Sequence, residues 1–339
     1  LKRPAIPAQK KQSESSDGSG APPPFAMSHS LKSFFNSSGK VKPWAQGWAT
    51  WLLAGALIGA SVLSYVTWII SRQGFQKCMC DLIKHTRVEP RGRSHIDVWA
   101  EGRQAKVYVP AGGLKKGMGV VFVLHGSFDS PQGMYGLGFE PIADERGFLV
   151  IYPTMSDPKK RSWAYTDDLT YFVAIVGKLI KEYEVNADKT FVCGHSSGGT
   201  MSLFLQNEVK LFAAAGAVEA GVGDLQLWHM NKRGTRTMVI WNHGDPVLEE
   251  YGGEELYRNT ITTLRRGGDT EPSSKVGLPT SRRIVQAELQ RYKEDAAPPL
   301  TVLSFRSEPG THNWPGGPNC TFDGAGYLVS FFFDWQDSA

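Results

Sequence analysis

The sequence predicts an α/β domain with a mostly parallel sheet covered by helices on both faces, and three observations carry the prediction. Short runs such as Val120-Val121-Phe122-Val123-Leu124 are continuously apolar, as strands buried on both faces require. Helical stretches such as the amphipathic 169–183 separate these runs, which gives the βαβ order of a parallel sheet. At 339 residues and 41% hydrophobic, the chain can bury one large core, with roughly a hundred residues left over.

The elements follow in order. Residues 96–99 and 105–109 read as early strands and 120–124 as a fully buried one. A helical stretch leads to strand 148–152, and helix 169–183 leads to strand 190–193. Strands 213–218, 237–241 and 300–305 come next, and helix 326–335 closes the domain, which spans 93–339. Segment 253–299, with Arg265-Arg266-Gly267-Gly268 and Arg282-Arg283, is long for a connection and reads as a lid or a docking surface.

Residues 1–47 are rich in Ser, Gly, Pro and Lys and cannot bury enough apolar surface to fold alone, so this tail reads as disordered by itself and is expected to be ordered only where it lies on a partner. Residues 48–70 carry no charge, are long enough to cross a bilayer as a helix, and have tryptophans near both ends. Lys40, Lys42, Arg72 and Lys77 flank them on both sides, so charge bias does not fix orientation. A transmembrane helix is therefore assigned to 48–71 and a linker to 72–92. A start at Leu1 and an early basic tail suggest a removed targeting segment and a single-pass protein of the mitochondrial inner membrane, with the secretory pathway as rival. The sequon Asn319-Cys320-Thr321 would favour the rival if glycosylated.

The net charge of +4 is mild, and the basic residues are dispersed except in the N-terminal part, so nothing suggests a nucleic-acid footprint. The four cysteines, Cys78, Cys80, Cys193 and Cys320, lack zinc spacing and point to no metal. Cys193 reads as a buried apolar residue, and Cys78 or Cys80 could pair with Cys320 in an oxidising compartment.

Gly194-His195-Ser196-Ser197-Gly198 matches G-x-S-x-G between an apolar strand and a helical stretch. A strand, a sharp turn and a helix hold a serine Oγ above the sheet, so Ser196 is the candidate nucleophile. Such a serine needs a base, an acid to orient the base, and donors for the oxyanion. His312, in the loop after the last strand, is the candidate base, and Asp245, directly after strand 237–241, the candidate acid, with Glu249 and Glu250 as substitutes. An Asp-Pro turn initiator is the competing account of Asp245. The backbone N–H groups of Ser127 and Ser197 are the candidate oxyanion donors. His125, His195 and His243 read instead as turn residues whose rings satisfy local backbone groups.

These motifs resemble, in order, those of the polyhydroxybutyrate depolymerase and feruloyl esterase group of the α/β-hydrolases. The resemblance rests on Val-Phe-Val-Leu-His-Gly at 121–126, Ala-Asp-Glu-Arg-Gly-Phe-Leu-Val-Ile-Tyr-Pro at 143–153 and Asp167-Asp168. It continues through the Gly194–Gly199 turn, His243-Gly244 with Asp245, and His-Asn-Trp-Pro-Gly-Gly at 312–317, and spans about residues 93–335. It implies an α/β-hydrolase fold and a serine esterase with the triad Ser196, Asp245 and His312, acting without metal or organic cofactor. One departure stands out. Asp245 follows Gly244 at once, where the family usually places two residues between, so the loop is rebuilt and could swing the acid away from His312.

Two functions are thus expected from the sequence. One is a membrane-anchored esterase that cleaves a small carboxylic ester through an acyl-enzyme. The other is a weak or inactive hydrolase-like accessory subunit of a membrane complex, such as a mitochondrial respiratory or ATP synthase assembly, contacted through tail and transmembrane helix.

Overall fold

The computed structural model describes residues 95–157, 162–222, 235–265, 270–292, 299–316 and 323–334. The tail, the apolar stretch 48–71, the linker 72–92, Cys78, Cys80, Asn319 and Cys320 lie outside the described residues. Among the described residues, no helix is long and apolar enough to cross a membrane.

The apolar runs pair into one ten-stranded sheet: β1 (His95–Ala100), β2 (Arg103–Tyr108), β3 (Gly119–Leu124), β4 (Phe148–Pro153), β5 (Thr190–His195), β6 (Ala214–Val218), β7 (Arg236–Asn242), β8 (Ser274–Gly277), β9 (Ile284–Tyr292) and β10 (Leu300–Ser307). Their spatial order is β1-β2-β4-β3-β5-β6-β7-β10-β9-β8. The centre, from β4 to β10, is parallel, and both flanks are antiparallel. Continuous burial of β3, β4 and β6 is what a helix layer on each face demands.

The helices are α1 (Phe139–Arg146), α2 (Tyr165–Tyr183), α3 (Ser197–Glu208), α4 (Pro246–Glu250), α5 (Gly253–Leu264) and α6 (Gly324–Phe333). Alternation along β3 sorts them. Val121 and Val123 pack with Phe139 and Ala143 of α1 and Leu328 and Phe332 of α6. Val120, Phe122 and Leu124 face the opposite layer, with Phe172 and Ile175 of α2 and Met201 and Leu205 of α3. On that same side, Leu256, Ile261 and Leu264 of α5 cover Val239 and Trp241 of β7.

The described residues of segment 253–299 form regular elements rather than a loop. They form α5, which buries Leu256, Ile261 and Leu264, and the strands β8 and β9, which extend the sheet beyond β10. Helix α2 begins earlier than its apolar periodicity suggested, at Tyr165, because its first turn is anchored by polar contacts. The fully buried Asp168 pairs with Arg103 and accepts the N–H groups of Ser156 (2.8 Å) and Ala164 (2.6 Å), pinning the loop after β4.

The topology fixes where a site can form. Strand β3 lies between β4 and β5, and the helices that follow β3 and β5, α1 and α3, go to opposite faces. The loops leaving β3 and β5 therefore part and leave a crevice beyond their carboxyl ends.

Candidate active site

Ser196 sits in that crevice, between the last residue of β5 and the first of α3, with φ 54° and ψ −125°. A non-glycine residue in this region is strained, and such strain persists only where surrounding contacts impose it. The flanking glycines are those contacts. A Cβ on Gly194 would lie 2.5 Å from the backbone of Gly198, and one on Gly198 would lie 2.5 Å from the carbonyl oxygens of both Leu124 and His125. The Ser196 N–H donates to the Val218 carbonyl at 2.9 Å, and its side chain makes no capping bond to α3.

Backbone carbonyls cannot step aside as a flexible side chain can. Gly198→Ala is therefore expected to cost about 3 kcal/mol and to lower Tm by roughly 6–12 °C in a thermal melt. A melt within about 2 °C of the unsubstituted protein would contradict this packing.

His312 lies in the loop between β10 and α6, and its Nδ1 is 2.5 Å from Asp245 Oδ2. Asp245 is fully buried at the start of α4. Its Oδ1 accepts the N–H groups of Val247 (2.8 Å) and Leu248 (3.2 Å), which caps the helix, while Oδ2 is left for the imidazole. Asp245 thus both caps the helix at the Asp-Pro turn and presents an oxygen to His312, since the cap fixes the carboxylate plane. The rebuilt loop does not swing Asp245 away from His312. Gly244 packs its backbone against Ser307 and Gly310, where a Cβ on either glycine would overlap a carbonyl, so the shortened loop still reaches the histidine. Glu249 and Glu250 are exposed on α4.

The ring face of His312 meets His195, with centroids 4.7 Å apart, and its Nε2 is buried without a hydrogen-bond partner. That leaves Nε2 as the atom with a lone pair to offer while Nδ1 is held by Asp245. Gly126, at the end of β3, closes the other side: a Cβ there would lie 3.3 Å from Ser196 Cβ. Ser127 follows it in the turn closed by the Asp129 N–H to the Gly126 carbonyl, at 3.3 Å. Ser197 opens α3, where N–H groups have no partner within the helix. The two expected oxyanion donors thus belong to the two chain ends that flank Ser196.

The remaining histidines divide. His125 does serve local backbone, with Nδ1 2.9 Å from the Gly126 carbonyl, and burial lowers its pKa, keeping the ring neutral. His243 instead faces Glu254, at 3.4 Å, and the Tyr257 ring, and burial lowers its pKa too. His195 places its Nε2 3.4 Å from Glu219 Oε2. Glu219, at the end of β6, is 1% exposed and has φ 47°. Its Oε2 is also 3.5 Å from His312 Nδ1. The signal for it in the sequence is a single charge directly after the apolar run 214–218. His195, Glu219 and His312 each bring one donor atom within 4.8 Å of the others, a spacing that could hold a metal ion, although His312 already spends Nδ1 on Asp245. Cys193 is buried and unpaired, and burial pushes its thiol pKa up, as an inert packing residue requires.

Comparison with known proteins places the fold. The structure is similar to that of an acetyl xylan esterase from Aspergillus awamori, with a TM-score of 0.52 and 17% identity, over 71% of this chain and 99% of that one. The fold is that of an α/β-hydrolase. A sequence model described as the prolyl oligopeptidase family matches residues 145–262 of this hydrolase domain, the part that holds β5, Ser196 and Asp245. Among curated proteins, a probable acetylxylan esterase A of Aspergillus clavatus is 30% identical over 127 residues, covering 34% of this chain and 41% of the relative. Acetylxylan esterase A of Talaromyces purpureogenus is 32% identical over 136 residues, covering 37% of this chain and 35% of the relative. Feruloyl esterase B of Neurospora crassa is 30% identical over 113 residues, covering 30% and 39%. The chain spans about two fifths of the length of these curated relatives.

Proposed function

We propose that this protein is a serine esterase that hydrolyses small carboxylic esters through an acyl-enzyme. The observations that carry the reading are the 2.5 Å contact of His312 Nδ1 with the buried Asp245, and the strained turn of Ser196, next in the chain to the His195 ring that meets His312. Asp245 keeps the proton of His312 on Nδ1, so Nε2 is the acceptor for the Ser196 hydroxyl proton. The Ser196 alkoxide character adds to the ester carbonyl, and the N–H groups of Ser127 and Ser197 take the negative charge that develops on its oxygen. His312 then returns the proton to the leaving alcohol, and a water activated by the same Nε2 releases the acid. No step calls on a cofactor.

The names of the matched relatives, acetylxylan and feruloyl esterases, support an acyl ester of a carbohydrate as the substrate class. The rival reading, a weak or inactive accessory subunit, drew in part on a displaced acid and keeps only the support of the tail and the apolar stretch. The apolar, charge-free stretch 48–70 supports a membrane anchor for the hydrolase domain, and the tail before it a contact with other subunits. The test is hydrolysis of p-nitrophenyl acetate by the purified full chain, followed by release of acetate from acetylated xylan. Turnover with an initial burst of p-nitrophenol is expected, and no turnover by a demonstrably folded protein would refute the reading.

A further inference from the structure

Two carboxylates, not one, face the same imidazole nitrogen. Asp245 Oδ2 holds His312 Nδ1 at 2.5 Å, and Glu219 Oε2 lies 3.5 Å from that nitrogen, too far for a second hydrogen bond and close enough for strong charge interaction in a dry interior. Glu219 is 1% exposed and reaches this place with a left-handed backbone, φ 47°, immediately after β6, a cost that ordinary packing does not require. Its other contacts hold it there. Oε2 is 3.4 Å from His195 Nε2, and Oε1 is 3.4 Å from Asn242 Nδ2. Asn242 in turn donates to the Thr311 carbonyl at 2.8 Å, directly before His312, and its Oδ1 accepts the Gly244 N–H at 3.0 Å, directly before Asp245.

We propose that Glu219 is a positioning residue of the base and its second counter-charge. Through His195 it backs the ring of His312, through Asn242 it ties the two loops that carry His312 and Asp245, and its charge favours the imidazolium formed when His312 takes a proton. The groups facing His312 from the packed elements are His195 on β5, Glu219 after β6 and Asp245 at the head of α4. The inference rests on the reading of His312 as base, so it is tested without turnover.

The experiment is titration of His312, followed by NMR on the full chain with labelled histidine and glutamate, in the unsubstituted protein, Glu219→Gln and Glu219→Asp. A negative charge raises an imidazole pKa, so removing it in Glu219→Gln lowers the His312 pKa by about one unit, and moves the acid limb of any ester turnover to lower pH by about the same amount. Glu219→Asp keeps the charge and stays within about half a unit of the unsubstituted protein. A purely structural glutamate predicts the reverse order, since glutamine is the closer match in shape. Should the glutamine variant not fold, the Glu219 carboxyl carbon of the unsubstituted protein decides: an ionised carboxylate whose shift steps with the His312 titration supports the role. A His312 pKa unmoved in folded Glu219→Gln, or a Glu219 carboxyl protonated through that titration, overturns it. A shifted His312 in a protein that turns over no ester keeps this inference and removes the esterase reading alone.

Discussion

Ser196→Ala is expected to lower kcat for p-nitrophenyl acetate by about 10⁶, with the fold intact. The loss is this large because serine and histidine act as a unit: without Oγ there is no acyl-enzyme, and the oxyanion donors alone supply only a residual advantage over water. The strain at Ser196, φ 54°, is unchanged by alanine, so circular dichroism and the thermal melt should match the unsubstituted protein. Retention of more than about a hundredth of the activity would mean that another nucleophile works in this crevice.

Asp245→Asn comes next, with a fall in kcat of about 10⁴ and little change in KM. The geometry dictates how the amide must turn. Oδ1 of Asp245 accepts two helix N–H groups, from Val247 and Leu248, so an asparagine oxygen stays there and its NH₂ is forced towards His312 Nδ1. Nδ1 must then accept, which leaves the proton on Nε2 and removes the acceptor that Ser196 needs. The helix cap survives, so stability is nearly kept. Asp245→Ala loses the cap as well and should be about 1 kcal/mol less stable than the asparagine variant in urea unfolding, which separates the two duties of this residue.

The parallel centre of the fold and the position of Ser196 were legible because each depends on local pattern. Buried strands read as unbroken apolar runs, and the turn around Ser196 advertises the glycines that its close backbone contacts require. The far edge was not legible, for a physical reason. Strand β8 is exposed along its whole length, and β9 shows the burial pattern BeeBiiBeB, so neither carries the continuous or alternating signal by which strands are recognised, and pairing with β10 decides their form. The acid loop misled because spacing in the chain is not distance in space. One backbone contact, Gly244 against Gly310, brings Asp245 to His312 across 67 positions. Glu219 stayed hidden behind Asp245, since a lone buried glutamate gains meaning only once the two imidazoles beside it are placed.

The most direct test of a working serine and base is labelling of the full-length protein with a fluorophosphonate, with the modified residue located by mass spectrometry. Stoichiometric label on Ser196, absent in Ser196→Ala, is the predicted result. A folded protein that takes no label, or takes it elsewhere, would contradict the account.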